Sequence, residues 1–135
     1  MALADLSPTE LLATCLWGEA RGEGHCGMVA VGCVIRNRTI AWRETLQSVI
    51  LGKNQFTSMA GNGPDIPYGD PQYADALSIA ADILAGEIAC PDITNGACYY
   101  ANLAIANSGW FETAIVADSK NHPQVAQIRA HTFFR

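Results

Sequence analysis

Charge is scarce in this sequence: 16% of its 135 residues are Asp, Glu, Lys or Arg, and 13 acids against 8 bases leave a formal charge of -5. There is no basic block to follow a phosphate backbone or to face anionic lipid, which excludes nucleic acid as a partner. Long hydrophobic runs are missing too. The longest, Met28 to Ile35, falls far short of the ~20 residues a membrane span needs, and no membrane insertion is expected. The opening Met1-Ala2-Leu3-Ala4-Asp5 lacks the basic start and continuous apolar stretch of a secretory leader, so no signal peptide is expected. No CxxC, HxxxH or CxxH spacing links the 5 cysteines and 3 histidines. Neither a disulfide framework, a metal site nor a cofactor follows from them. Most of the thiols are expected buried and reduced, with a local Cys90–Cys98 link as the alternative. Repeats, linkers and low-complexity tracts are also absent. With 50% hydrophobic residues the chain can bury one core, so residues 1–135 are expected to form a single, monomeric domain.

Helix signals come first along the chain. Ser7, Pro8 and Glu10 make an N-cap, a first-turn proline and a capping box. Leu12, Cys15 and Leu16 then form an apolar stripe whose next member is Glu19, so an acid falls on the buried face. Gly22, Gly24 and Gly27 are expected to end this helix in a tight loop. A central helix is expected from Met28 to Ile35, running into Arg36-Asn37-Arg38 at the solvent. A short helix over Thr45 to Leu51 turns Leu46, Val49 and Ile50 inward and stops at Gly52. Asp70-Pro71 starts another, with stripe Ala74, Leu77, Ala81, Leu84, ending at Gly86. The polar stretch between Lys53 and Gly69 is too long for a connector and is a candidate binding loop. Beyond it, Tyr99-Tyr100, Ala114-Ile115-Val116 and His131 to Phe134 read as short extended pieces. The fold class is α+β, mainly helical, with a small β or irregular part at the C-terminal end.

Glu19 carries the most chemistry. Burial on an apolar stripe and a position near a helix C-terminus both disfavour its charge, which suits a general acid for a glycosidic oxygen. The alternative is structural: an ion pair with Arg21 or Arg36, or a cap on a loop amide. Glu23 reads as a loop-fixing residue, partnered by Arg21 or a backbone N–H. Asp65, Asp70, Glu112 and Asp118 read as turn or cap residues, which leaves a one-glutamate site as the simpler hypothesis. Sugar binding wants ring faces and amides, and the loops supply Gln55, Phe56, Thr57, Tyr100, Asn102, Trp110 and His131. Core packing is the competing role for Phe56, Phe133 and Phe134, and for Trp110 both roles stay open. A cysteine-dependent amidase using Cys26 or Cys98 would need an activating histidine that no spacing shows.

Trp17-Gly18-Glu19-Ala20-Arg21-Gly22-Glu23, followed by Gly27, Val29-Ala30-Val31 and Val34 to Arg38, resembles the signature of the SleB/CwlJ cell-wall hydrolase family. Gln55-Phe56-Thr57, the Ala80-Ala81 helix, Ala97 to Asn102, Trp110 and His131 to Phe134 follow in that family's order. The resemblance implies a lysozyme-like fold related to lytic transglycosylases and, as partner, the glycan strands of peptidoglycan. It puts the catalytic glutamate at Glu19, with Gln55, Tyr100, Asn102 and His131 along the cleft. It implies cleavage of the MurNAc–GlcNAc bond with 1,6-anhydro-MurNAc ends; hydrolytic muramidase action and a non-catalytic peptidoglycan-binding module are the alternatives. A module without leader or added wall-binding domain suits a phage endolysin, made in the host cytoplasm and reaching the wall by holin- or virion-mediated release.

Overall fold

The computed structural model describes residues 2–52, 55–61, 63–86, 92–104 and 111–135. Helix α1 (Pro8–Ala20) starts where its signals put it, with Ser7 Oγ accepting the Glu10 N–H at 3.2 Å. The Glu10 carboxylate closes the box from the other side by accepting the Ser7 hydroxyl at 2.9 Å. A single 3-10 turn, Arg21–Glu23, then leads straight into α2 (Gly24–Ala41). The glycine loop expected before Met28 is thus corrected. Gly27 lies inside α2, where any side chain would run into Glu23 Cβ. Each glycine costs a helix about 1 kcal/mol; burying the apolar run behind them outweighs that.

Helix α2 is apolar on all sides and buried on most of them, from Gly27 through Ile35 to Arg38. It is the central helix, flanked by α1, α3 (Leu46–Leu51) and α4 (Pro71–Ala85). Thr45 caps α3 by accepting the Ser48 N–H at 3.0 Å, and Val49 and Ile50 point inward as expected. Asp70 caps α4 through the Gln72 N–H at 2.8 Å, and Gly86 ends it in the left-handed region at φ 67°. The inward face of α4 differs from the stripe read in the sequence. Tyr73, Ala76, Ile79, Ala80 and Ile83 are buried, whereas Ala74 and Ala81 are exposed and Leu84 is 42% exposed. Apolar residues lie all round this helix, so spacing alone admits two stripes one residue apart. Tyr73 decides between them, because its ring fills the core and its hydroxyl meets Thr14 Oγ1 at 3.1 Å.

The C-terminal part is a three-stranded antiparallel sheet in the order β1 (Tyr99–Ala101), β3 (His131–Phe134), β2 (Gln124–Ile128). Tyr100 pairs with Phe133 across β1 and β3, and Ile128 faces His131 across β2 and β3. The expected strand at Ala114-Ile115-Val116 is corrected to a π-helical turn, Glu112–Val116. Three β-branched or small apolar residues are too few for periodicity to separate the two conformations. One core fills the space between α1, α2, α3 and α4. A second forms where Ala30 and Val34 of α2 meet Ala97 and Phe133. Tyr100 packs against both cores. Among the described residues no helix is long and apolar enough to cross a membrane.

Candidate active site

Glu19 stands on the last turn of α1, half-buried, opposite the short turn Thr57–Met59. Burial raises its carboxyl above the ordinary glutamate value. Opposing this, the amides of Ser58 and Thr57 and the Ser58 hydroxyl face the carboxylate and favour its charged form. Nearby stand Cys15, one turn back on α1, and Tyr100 on β1, both held well above their ordinary values by burial first and by the Glu19 charge next. They are therefore neutral neighbours. Burial thus favours the protonated acid more than in an exposed glutamate, while the two amides and the Ser58 hydroxyl face the anion left when the proton departs.

Arg21 is not its counter-ion. The guanidinium lies over the Trp17 ring at 4.0 Å and donates to the carbonyls of Trp17 and Gly18 at 3.1 and 3.3 Å, which closes the end of α1. Trp17 is itself anchored, its Nε1 donating to Asp70 Oδ2 at 3.1 Å, so the cap of α4 fixes the helix that carries the acid. Glu23 has the backbone partner that was one of its two expected options: its Oε2 accepts the Ala130 N–H at 3.4 Å, in the turn between β2 and β3. His131 follows at the start of β3. Its ring packs edge-on to Tyr100 at 5.1 Å, its Nδ1 is buried without a partner, and burial lowers its pKa against the pull of Glu23.

Arg38 is the residue that sequence reasoning missed. Expected to take α2 into solvent, it is 7% exposed. Its Nε donates to Cys98 O at 2.7 Å and its Nη1 to Gln55 Oε1 at 3.4 Å, with the rings of Trp42 and Phe56 at 4.9 and 5.3 Å. Aromatic faces and a carbonyl make burial of this cation tolerable, and burial lowers its pKa. Its place three residues after the apolar run that ends at Ile35, with Trp42 four residues on, was the available signal. Beside it, Asn37 donates to Asp92 Oδ2 and Ala97 O, both at 3.0 Å, and binds the segment before β1 to α2.

The other expected cleft residues divide. Thr57 and Gln55 are exposed on the candidate binding loop. Phe56 is corrected to a core residue, 4% exposed beneath Arg38; a ring on a loop is drawn inward wherever apolar neighbours leave room. Asn102 follows β1 and folds back locally, its Oδ1 accepting the Ala104 N–H at 3.1 Å. Trp110 and Cys90 lie outside the described residues, and Cys98 is a buried free thiol. A cavity of about 550 Å³ between the N-terminal segment, α3 and the Thr57–Met59 turn shares Thr57 with the site but not Glu19, Tyr100 or His131. Among the described residues no cluster of His, Cys, Asp or Glu is arranged to hold a metal ion.

A mainly helical domain with a small three-stranded sheet, carrying at the end of its first helix a half-buried carboxyl raised by burial, is what fold and site define. The chain belongs to the family described as Cell Wall Hydrolase, which residues 22–134 match. This agrees with the resemblance carried by Trp17 to Glu23 and the motifs after it. Over 126 residues the chain is 33% identical to a spore cortex-lytic enzyme of Oceanobacillus iheyensis and 31% identical to one of Bacillus subtilis. These alignments take in 92% and 91% of this chain but 40% and 36% of those proteins. In three dimensions it is similar to the catalytic domain of the germination-specific lytic transglycosylase SleB from Bacillus anthracis, with a TM-score of 0.68 and 27% identity over 97% of this chain and 98% of that one. The catalytic domain of the Bacillus cereus SleB protein gives 0.67 and 28%, over 95% and 89%.

Proposed function

We propose that this domain cleaves the glycan strands of peptidoglycan with Glu19 acting first as acid and then as base. In the first step the Glu19 carboxyl gives its proton to the oxygen linking MurNAc to GlcNAc, and the C1–O bond of the muramyl residue breaks. In the second, the Glu19 carboxylate takes the proton of the muramyl C6 hydroxyl as that oxygen bonds to C1 and closes a 1,6-anhydro ring. The proton count balances without water. The observation that carries this reading is the raised Glu19 carboxyl with the Ser58 and Thr57 donors already facing it. Among the described residues no other carboxylate acts on Glu19, which favours the substrate's own hydroxyl over a water activated by a second acid. The likeness to a domain described as a lytic transglycosylase supports the same outcome.

The same reading includes an endolysin, made in a host cytoplasm and delivered to the wall through a holin or a virion. Mass spectrometry of muropeptides released from purified peptidoglycan tests the chemistry. Wild type is expected to release anhydromuramyl products, one water lighter than reducing ends, and Glu19→Gln to lose at least the ~100-fold typical of a missing acid–base group. Reducing ends from wild type would make the protein a hydrolytic muramidase, and release from neither protein would make it a glycan-binding module.

A further inference from the structure

Gly18, the residue before the acid, has no room for a side chain. A Cβ there would stand 2.6 Å from Ser58 Oγ and 2.8 Å from Ser58 Cβ. The backbone of α1 and the Thr57–Met59 turn therefore touch at Gly18, and this contact brings Ser58 alongside Glu19. Ser58 Oγ is shielded from solvent and is one of two buried side-chain polar atoms without a well-formed hydrogen bond among the described residues. A buried hydroxyl left in that state costs free energy, and the Glu19 carboxylate that it faces is the partner within reach. Hydrogen bonds at such sites are often loose without substrate and tighten as charge develops.

We propose that Ser58 is a positioning residue for Glu19: with Gly18 leaving the space, its hydroxyl turns onto the carboxylate and holds the anion formed when the proton leaves. This rests on Glu19 being the acid. The hydroxyl rotor is the one donor of the three that can follow the charge, since the amides of Thr57 and Ser58 are fixed by the turn. The titratable groups that face Glu19 are Cys15 from α1 and Tyr100 from β1. Both are held neutral, the Thr57–Met59 turn supplies none, and the charged group from α2 that acts on both is the Arg38 guanidinium.

The test is an NMR titration of the Glu19 side-chain carboxyl in the free protein, assigned with Glu19→Gln and paired with the pH profile of glycan cleavage. Ser58→Ala removes one atom and is expected to raise the Glu19 titration point by about one pH unit, a tenfold change in acid constant. The alkaline limb of activity moves up with it, because the acid stays protonated longer. Gly18→Ala displaces the hydroxyl and is expected to shift Glu19 the same way, and the double variant to titrate like Ser58→Ala alone. An unmoved titration point in Ser58→Ala overturns the proposal, even where activity falls. So does a double variant that shifts well beyond Ser58→Ala, since Gly18 would then act without the hydroxyl. Cleavage retained by Glu19→Gln would instead remove the proposed function, and the titration in the free protein is read independently of it.

Discussion

At the level of single residues, Glu19 illustrates how one position acquires chemistry from its neighbours. Burial raises it, two amides and a hydroxyl pull it down, and burial prevails. Because the folded value lies above that of an exposed glutamate, folding favours the protonated form. The resulting stability is fully present below ~4.3 and is lost as pH rises through the raised folded value. Glu19→Gln removes this dependence. Thermal unfolding is therefore expected to show the variant gaining on wild type between acid and neutral pH, and a gain that is equal at both would contradict a buried ionising acid. Glu19 was legible in the sequence because an acid interrupts an apolar stripe. Arg38 was not, since the groups that make its burial tolerable, Cys98 O, Gln55, Trp42 and Phe56, come from three separate segments. Ser58 escaped for the same reason: only the contact with Gly18 shows what it faces.

Among the elements, the starts of α1 and α4 were readable to the residue, because Ser7 and Asp70 act on amides two or three positions away, whereas α2 begins at Gly24, ahead of the expected Met28. Faces were less so, and α4 turned by one residue to bury Tyr73. It crosses α2 closely at Gly32. An added Cβ at Gly32 would meet Ile83 Cδ1, with both Leu16 methyls at 3.5 and 3.6 Å. Gly32→Ala is expected to cost about 1 to 3 kcal/mol of overpacking strain. Adding Ile83→Val removes the clashing methyl and should restore most of it. Urea midpoints at constant slope would reveal this; a double variant no better than the single one would mean another atom demands the glycine. Strand β2, by contrast, went unread in the sequence. Its Gln-Val-Ala-Gln-Ile pattern is half-buried with a bulge between Gln124 and Ala126, which breaks the alternation that marks a strand.

For the whole molecule, α2 ties the structure together by contributing to both cores, while Tyr100 of β1 packs against each. The candidate acid, the loop that faces it and the sheet that closes it thus share one scaffold. A charge of -5 gives the protein no attraction to an anionic wall. Raising ionic strength from ~10 to ~150 mM shortens the Debye length from ~30 to ~8 Å. Clearing of wall suspensions is therefore expected to speed up over that range; slowing would reveal a local basic contact that net charge hides. Composition and local pattern by themselves determined the fold class, the caps at Ser7 and Asp70 and the choice of Glu19 as candidate acid, and the ordered motifs carried the family resemblance, because each depends on residues close together in the chain. Which face of α4 is buried, where Arg38 finds its partners and which hydroxyl stands beside the acid were decided only by the tertiary structure. Those contacts join segments dozens of residues apart, and packing rather than local preference selects them.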